Sequence, residues 1–119
     1  MENKDLNVVI LKSDNLSITI TKDTIQDNLD TFYKVIKCDT IDIVRRKIGK
    51  KYYNIICDDE GLLKEKSIAL MEKEHREILV GNLIITGLED KNGELTSLTE
   101  KEQTDIISTF LQKGLIYEI

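Results

Sequence analysis

The sequence predicts an α+β fold, in which an antiparallel or mixed sheet of about five strands carries two main helices. Short β-branched and apolar runs bounded by turn residues indicate strands. Two longer segments repeat apolar residues every three or four positions, which indicates helices. Since each element has one apolar face, packing the helices on the sheet is the economical arrangement. At 119 residues the chain has the size of one domain, so we expect a single α+β domain over residues 1–119.

The N-terminal third predicts a β-hairpin followed by a helix. An apolar run over residues 7–12 and an alternating run over residues 16–21 flank a turn at residues 13–15, which is a hairpin pattern. A helix is expected to begin near Thr24, capped by Asp23 or Thr21. Its predicted apolar stripe consists of Ile25, Leu29, Phe32 and Ile36.

The middle of the chain predicts further strands. Residues 40–47 and 52–57 read as a second hairpin, joined by a turn that contains Gly49. Residues 62–76 favour a helix by composition, with a short strand over residues 67–71 as the alternative. A continuous apolar run over residues 78–86, which contains Gly81, predicts one strand, and residues 90–93 predict a loop.

The C-terminal part predicts the second helix. Thr99 and Glu102 have the spacing of a capping box, in which each side chain bonds the backbone N–H of the other residue. The predicted apolar face of this helix consists of Ile106, Ile107, Phe110 and Leu111. Residues 115–119 have the composition of a strand, which adds either to a sheet edge of this chain or to a partner.

The charge of the chain is acidic: 17 basic against 22 acidic side chains give a net charge of −5. A net negative chain repels phosphate at long range, which disfavours general nucleic-acid binding. The same charge attracts a partner with a basic surface. The two cysteines, Cys38 and Cys57, are too few for a disulfide scaffold. Apolar runs are too short for a membrane span and no signal-peptide pattern is present, so we expect an intracellular protein.

No recognisable catalytic machinery appears in the sequence. His75 is the single histidine and lies in a charged segment, and neither a zinc ligand set nor a phosphate-binding glycine loop is present. We therefore expect no enzymatic activity, no metal and no cofactor. The carboxylates of residues 58–60 before Gly61 keep one alternative open, a small metal- or ligand-binding domain, although a solvated turn explains them as well.

Two charged clusters are the candidate interaction sites. The first is an acidic cluster on the last loop and the start of the last helix, where carboxylates also suit the helix N-terminus: Glu89, Asp90, Glu94, Glu100, Glu102 and Asp105. The alternative is a basic patch around the second hairpin, in which aromatic residues beside cations suit single-stranded nucleic acid: Arg45, Arg46, Lys47, Lys50, Lys51, Tyr52 and Tyr53. Charged residues at an exposed hairpin also deter edge pairing.

Three segments of the sequence form a distinctive combination: NIICDDEGLLK at residues 54–64, ILVGNLIITG at residues 78–87 and SLTEKEQ at residues 97–103. Together they resemble a small uncharacterised domain family that is encoded largely by phages and bacterial mobile elements. The resemblance extends over roughly residues 7–111. Where family members usually carry L-P-x-N-R after the glycine turn, this chain has KSIAL at residues 66–70. The family has no established activity, so the resemblance implies a setting inside a bacterium and no catalytic residue.

These observations predict a non-enzymatic accessory protein of a phage or mobile element that acts by protein–protein binding in the bacterial cytoplasm. Its most concrete version inhibits a host defence system, such as CRISPR or restriction, by binding a host protein or protein–nucleic-acid complex that has a basic surface. Nucleic-acid binding through the basic hairpin and a small metal- or ligand-binding domain are the alternatives. A homodimer is a further option, and membrane association is not expected.

Overall fold

The computed structural model describes residues 4–13, 18–59, 68–71, 78–113 and 116–118. These residues form strands and helices in the order β1 Asp5–Ser13, β2 Ile18–Gln26, α1 Leu29–Ile36, β3 Ile41–Ile48, β4 Lys51–Asp58, β5 Ile68–Met71, β6 Ile78–Val80, β7 Leu83–Thr86, α2 Glu100–Lys113 and β8 Ile116–Glu118. Neither helix is long and apolar enough to cross a membrane, within the part of the chain that is described.

The main sheet has five strands in the order β2-β1-β7-β4-β3. Every neighbouring pair is antiparallel. The α+β class, the five-stranded sheet and the two helices are therefore as the sequence predicts. The short strand β7 lies at the centre, and β2 and β3 lie at the two edges.

The two helices pack on opposite faces of this sheet. On one face, Leu6, Val8 and Ile10 of β1 belong to the same apolar cluster as Phe32 and Ile36 of α1. On the other face, residues 9 and 11 of β1 belong to a cluster with residues 106 and 110 of α2. Since side chains alternate along a strand, the continuous apolar runs in β1, β4 and β7 reflect burial on both faces of the sheet.

The junction between β2 and α1 differs from the prediction. Thr24 and Ile25 lie in β2, which continues to Gln26 and pairs with β1 over nine residues. The helix begins at Leu29, and its N-cap is Asn28, whose Oδ1 accepts a hydrogen bond from the N–H of Thr31 at 2.8 Å. The predicted start near Thr24 and its caps are wrong, because pairing with β1 extends the strand through Gln26, and Ile25 packs against the apolar cluster on the α1 side as part of that strand.

The predicted strand over residues 78–86 is also wrong, because it is divided between two sheets. Gly81 adopts a φ of +88°, which a regular strand does not accommodate. The next residue, Asn82, donates from its side-chain nitrogen to the backbone oxygen of Val35 at 2.9 Å. Strand β7 then enters the main sheet, whereas β6 belongs to a second sheet.

This second sheet has three strands in the order β6-β5-β8, with antiparallel pairing. It confirms the short strand that was the alternative for residues 67–71. It also confirms that the C-terminal segment adds to a sheet of its own chain, because β8 pairs with β5. The rest of residues 62–77, including His75, and residues 60–61 lie outside the described residues.

Candidate interaction surface

The basic residues of the sequence lie on the β3–β4 hairpin. Its strands are joined by a two-residue turn, Gly49 and Lys50, next to the pair formed by Ile48 and Lys51. Gly49 has a φ of +66°, and a positive φ at the first turn residue fits the right-handed twist of a tight hairpin. This turn fixes the register of the two strands, and with it the face on which each side chain of the hairpin lies.

Strand alternation distributes these basic residues over two faces. Arg45, Lys47 and Tyr52 lie on the same face as α1, since they share the parity of the residues packed against that helix. Arg46 and Tyr53 lie on the face of α2. Tyr53 is only 3% exposed and is part of the apolar cluster beneath α2, so its ring does not contribute to an exposed patch.

The exposed part of the sheet on the α1 side contains apolar as well as basic side chains. Ile43 is 41% exposed and Tyr52 is 52% exposed, and Lys47 pairs with Tyr52 across the strands. Arg45 lies between Ile43 and Lys47 on the same strand face. We refer to these four residues, Ile43, Arg45, Lys47 and Tyr52, as the hairpin face.

Glu89 adds a carboxylate to the hairpin face. Its Oε2 lies 3.4 Å from Nη2 of Arg45. The pKa of Glu89 is below its ordinary value because its own backbone N–H, the Asn54 amide and Arg45 all favour the ionised carboxylate. Asn54 is buried, and its amide nitrogen lies near the Glu89 carboxylate without reaching hydrogen-bond geometry to any acceptor within the described residues.

The side chain of Asp90 stabilises the loop in which it lies. Its Oδ1 accepts hydrogen bonds from the backbone N–H groups of Asn92 at 2.8 Å and Glu94 at 3.1 Å. These two bonds hold the pKa of Asp90 below its ordinary value. The predicted loop at residues 90–93 is thereby confirmed, and the exposed carboxylate of Glu94 lies at its end.

The remaining acidic candidates lie on α2. Glu100 is exposed in the first turn. Glu102 completes the capping box with Thr99, and its other carboxylate oxygen lies 3.6 Å from Nζ of Lys51. Burial, followed by the charges of Glu102 and Asp105, raises the pKa of Tyr53 above its ordinary value.

The two clusters predicted from the sequence therefore meet around one hairpin. Glu89 contacts it on the α1 side, and Glu102 contacts it on the α2 side. The combined surface has mixed charge, with an ion pair at each side. Sequence spacing gave no signal for this arrangement, because the paired residues are 44 and 51 positions apart. The exposure of Ile43 was likewise missed, since the alternating pattern of β3 predicts an apolar face without saying whether a helix covers it.

The structure contains no candidate metal site in the residues that it describes: no group of three or more His, Cys, Asp and Glu side chains is arranged to hold an ion. Asp58 ends β4 and is buried, whereas Asp59 is exposed in the turn that follows. Burial, together with the nearby charge of Asp42, raises the pKa of the Cys57 thiol to about 12. Cys57 is therefore protonated at neutral pH and is a poor nucleophile.

A family model described as a domain of unknown function, DUF3846, matches residues 6–111. The match includes the main sheet except Asp5, all of α1 and most of α2. No curated protein and no solved structure matches the chain.

Proposed function

This chain belongs to the DUF3846 family, to which no function is assigned, and from its own surface we propose that it is a non-enzymatic protein that binds a protein partner through the hairpin face. The observation that carries this proposal is the combination of exposed Ile43 and Tyr52 with the Arg45–Glu89 ion pair. Apolar and aromatic side chains surrounded by polar groups of both signs are typical of protein interfaces.

The mixed charge also selects the kind of partner. On the hairpin face, Glu89 neutralises the charge of Arg45, which weakens attraction of phosphates to this face; Arg45 in turn neutralises Glu89, which argues against a phosphate mimic. The two charged groups lie 3.4 Å apart. A protein partner that presents an apolar group and both charges fits this arrangement, because such surfaces gain specificity from charge complementarity.

We also propose a biological setting for this binding. The resemblance to domains of phages and mobile elements supports an accessory protein that acts in the bacterial cytoplasm. Within that setting we propose inhibition of a host defence system of the CRISPR or restriction type. Expression of the chain in defence-proficient bacteria is expected to raise the plating efficiency of a phage that the defence restricts. Unchanged plating against each defence type tested would contradict inhibition while leaving the binding proposal intact.

The binding proposal is tested by removing the apolar part of the hairpin face. The double variant Ile43→Ser, Tyr52→Ala is expected to weaken capture of the protein partner about tenfold or more, because buried aromatic and apolar groups dominate interface energies. Affinity purification from the bacterial host, followed by titration of the purified partner, measures this. Leu29→Ser and Leu111→Ser are matched controls, since these leucines are 55% and 74% exposed on the helices.

Both controls are expected to retain the partner. A partner that binds the double variant as tightly as the unmodified chain would refute the hairpin face as the interface. Thermal unfolding of all the variants checks that each one folds.

Nucleic-acid binding is a second candidate, which the exposed pair of Lys47 and Tyr52 favours. A tyrosine ring flanked by cations can stack on a base of a single strand. Fluorescence anisotropy with a labelled oligonucleotide discriminates the two candidates. If the chain binds the oligonucleotide, if this affinity falls as the salt concentration rises, and if it is lost in Lys47→Ala and Tyr52→Ala, nucleic acid would be favoured over a protein partner.

A further inference from the structure

A groove lies on the other side of the hairpin from the hairpin face, between the hairpin turn and α2. Its volume is about 510 Å³, which is in the range of small-ligand pockets. The hairpin lines it with Gly49, Lys50 and Lys51 and with Tyr53. None of the interactions that we propose for the hairpin face involves this groove.

One polar stripe of α2 forms the opposite wall. Lys101, Asp105, Ser108 and Thr109 line the groove, and their spacing of four, three and one positions places them on one side of a helix. The apolar residues of α2 that pack on the sheet, such as Ile106, lie on a different side. Helix α2 lies close to the hairpin turn: a Cβ atom at Gly49 would be only 3.3 Å from Oγ1 of Thr109.

The groove is lined by both cations and hydrogen-bond acceptors. Lys51 has the carboxylate of Glu102 at 3.6 Å, whereas Lys50 and Lys101 have no carboxylate within ion-pair distance in the described part of the chain. The hydroxyl of Thr109 donates to the backbone oxygen of Asp105 at 2.8 Å, so it can only accept from a ligand. The Asp105 carboxylate is also an acceptor.

We propose that this groove binds a small sugar phosphate, with the phosphate at Lys50 and Lys101 and the sugar hydroxyls at Asp105 and Thr109. Lysine ammonium groups bind phosphate as point charges. A carboxylate is a favourable acceptor for the hydroxyl groups of a sugar, which donate and accept. Tyr53 also lines the groove, and its phenol can donate a hydrogen bond to the ligand.

The test is a titration of the full chain with ribose-5-phosphate at constant ionic strength, followed by two-dimensional amide NMR spectra. Chemical shift changes are expected at residues 48–53 and 101–109. Inorganic phosphate is expected to bind more weakly and ribose alone not to bind. The double variant Lys50→Ala, Lys101→Ala is expected to lose about tenfold or more in affinity, and Asp105→Asn is expected to lower the preference for ribose-5-phosphate over phosphate.

Lys34→Ala, which removes an exposed lysine from α1 on the opposite face, is the matched control and is expected to bind normally. Tyr52→Ala is expected to bind normally as well, which separates this proposal from the one for the hairpin face. Absent shift changes, or equal affinity in the double lysine variant, would overturn the inference. Binding of a short oligothymidylate alone, with shift changes at Lys47 and Tyr52, would also overturn it and would assign the surface to nucleic acid.

Discussion

At the scale of single residues, the start of α2 is held by a reciprocal pair of hydrogen bonds. The backbone N–H of Thr99 donates to Oε1 of Glu102 at 2.9 Å, and the backbone N–H of Glu102 donates to Oγ1 of Thr99 at 3.1 Å. These bonds satisfy donors that a helix cannot satisfy internally. Since Glu102 also lies beside Lys51, the cap positions the helix against the hairpin and so shapes the proposed groove.

Replacement of this cap tests its contribution. Thr99→Ala is expected to lower the free energy of unfolding by about 1 kcal/mol, because the N–H of Glu102 loses its acceptor. Urea unfolding measures the difference. Thr104→Ala is the control: its hydroxyl accepts only an exposed bond from Lys22, so a change within about 0.5 kcal/mol is expected. Equal losses in the two variants would mean that the capping box contributes nothing specific.

Features of this local kind are the ones that sequence predicts well. The capping box and the turn around Asp90 involve residues at most four positions apart, so the spacing in the sequence is already the spacing in space. Exposure depends on distant parts of the chain and was predicted less well. Leu29 and Leu111 continue the apolar repeats of their helices, yet they are 55% and 74% exposed, because the sheet contacts only part of each predicted stripe.

At the scale of elements, the segment between β7 and α2 is closed by a contact between its two ends. The backbone N–H of Gly87 donates to the backbone oxygen of Thr96 at 2.9 Å, and the Thr96 hydroxyl donates to the backbone oxygen of Leu88 at 2.6 Å. A Cβ atom at Gly87 would lie 2.3 Å from Oγ1 of Thr96. Only glycine therefore permits this close approach, which places Glu89 beside Arg45.

Two glycine replacements in this segment separate steric from conformational effects. Gly87→Ala is expected to lower the free energy of unfolding by about 2–3 kcal/mol, because the new methyl group overlaps with Thr96. Gly93→Ala is expected to cost about 1 kcal/mol, because its φ of +79° is unfavourable although no atom lies within 4 Å. Urea unfolding measures both. A smaller loss for Gly87→Ala than for Gly93→Ala would show that the segment is not closed as described.

The division of residues 78–86 into two strands shows a limit of sequence patterns at this scale. A run of apolar residues has the same appearance whether one strand or two strands contain it. The break depends on the positive φ of Gly81 and on the bond from Asn82 to the end of α1, 47 residues away. Only the glycine is visible in the sequence, and glycine also occurs inside strands.

At the scale of the whole molecule, burial on both faces explains the order of the main sheet. The strands with continuous apolar runs, β1, β7 and β4, occupy the interior, and the alternating strands β2 and β3 occupy the edges. The five strands of the main sheet and the two helices are as many as their patterns predict. The sequence did not predict that one helix packs on each face of the sheet. An apolar stripe indicates that a helix packs against something, but it does not indicate which face of the sheet the helix covers. The second sheet as a separate unit also escaped prediction: strands at residues 67–71 and 115–119 were considered, but strands of only three or four residues carry no signal for which partners they pair with.

Strand β3 lies at an edge of the main sheet, where a strand of a second molecule could pair with it. The pair formed by Ile48 and Lys51 closes the hairpin, so the backbone groups of Ile43 and Arg45 point away from β4. The N–H of Ile43 donates to Oδ1 of Asp42 at 2.9 Å, and Nη1 of Arg46 donates to the backbone oxygen of Arg45 at 2.8 Å. Two groups that another strand would need are thus already occupied.

The double variant Asp42→Ala, Arg46→Met tests this protection of the edge. It frees both backbone groups, keeps the net charge at −5 and retains the aliphatic length of residue 46. We expect stronger self-association than in the unmodified chain, visible in sedimentation velocity as a larger weight-average mass that rises with protein concentration. Asp30→Ala, Lys34→Ala on α1 changes the charges equally and is expected to leave the mass unchanged. Equal masses for all three proteins would mean that the side chains of Asp42 and Arg46 do not control pairing at this edge.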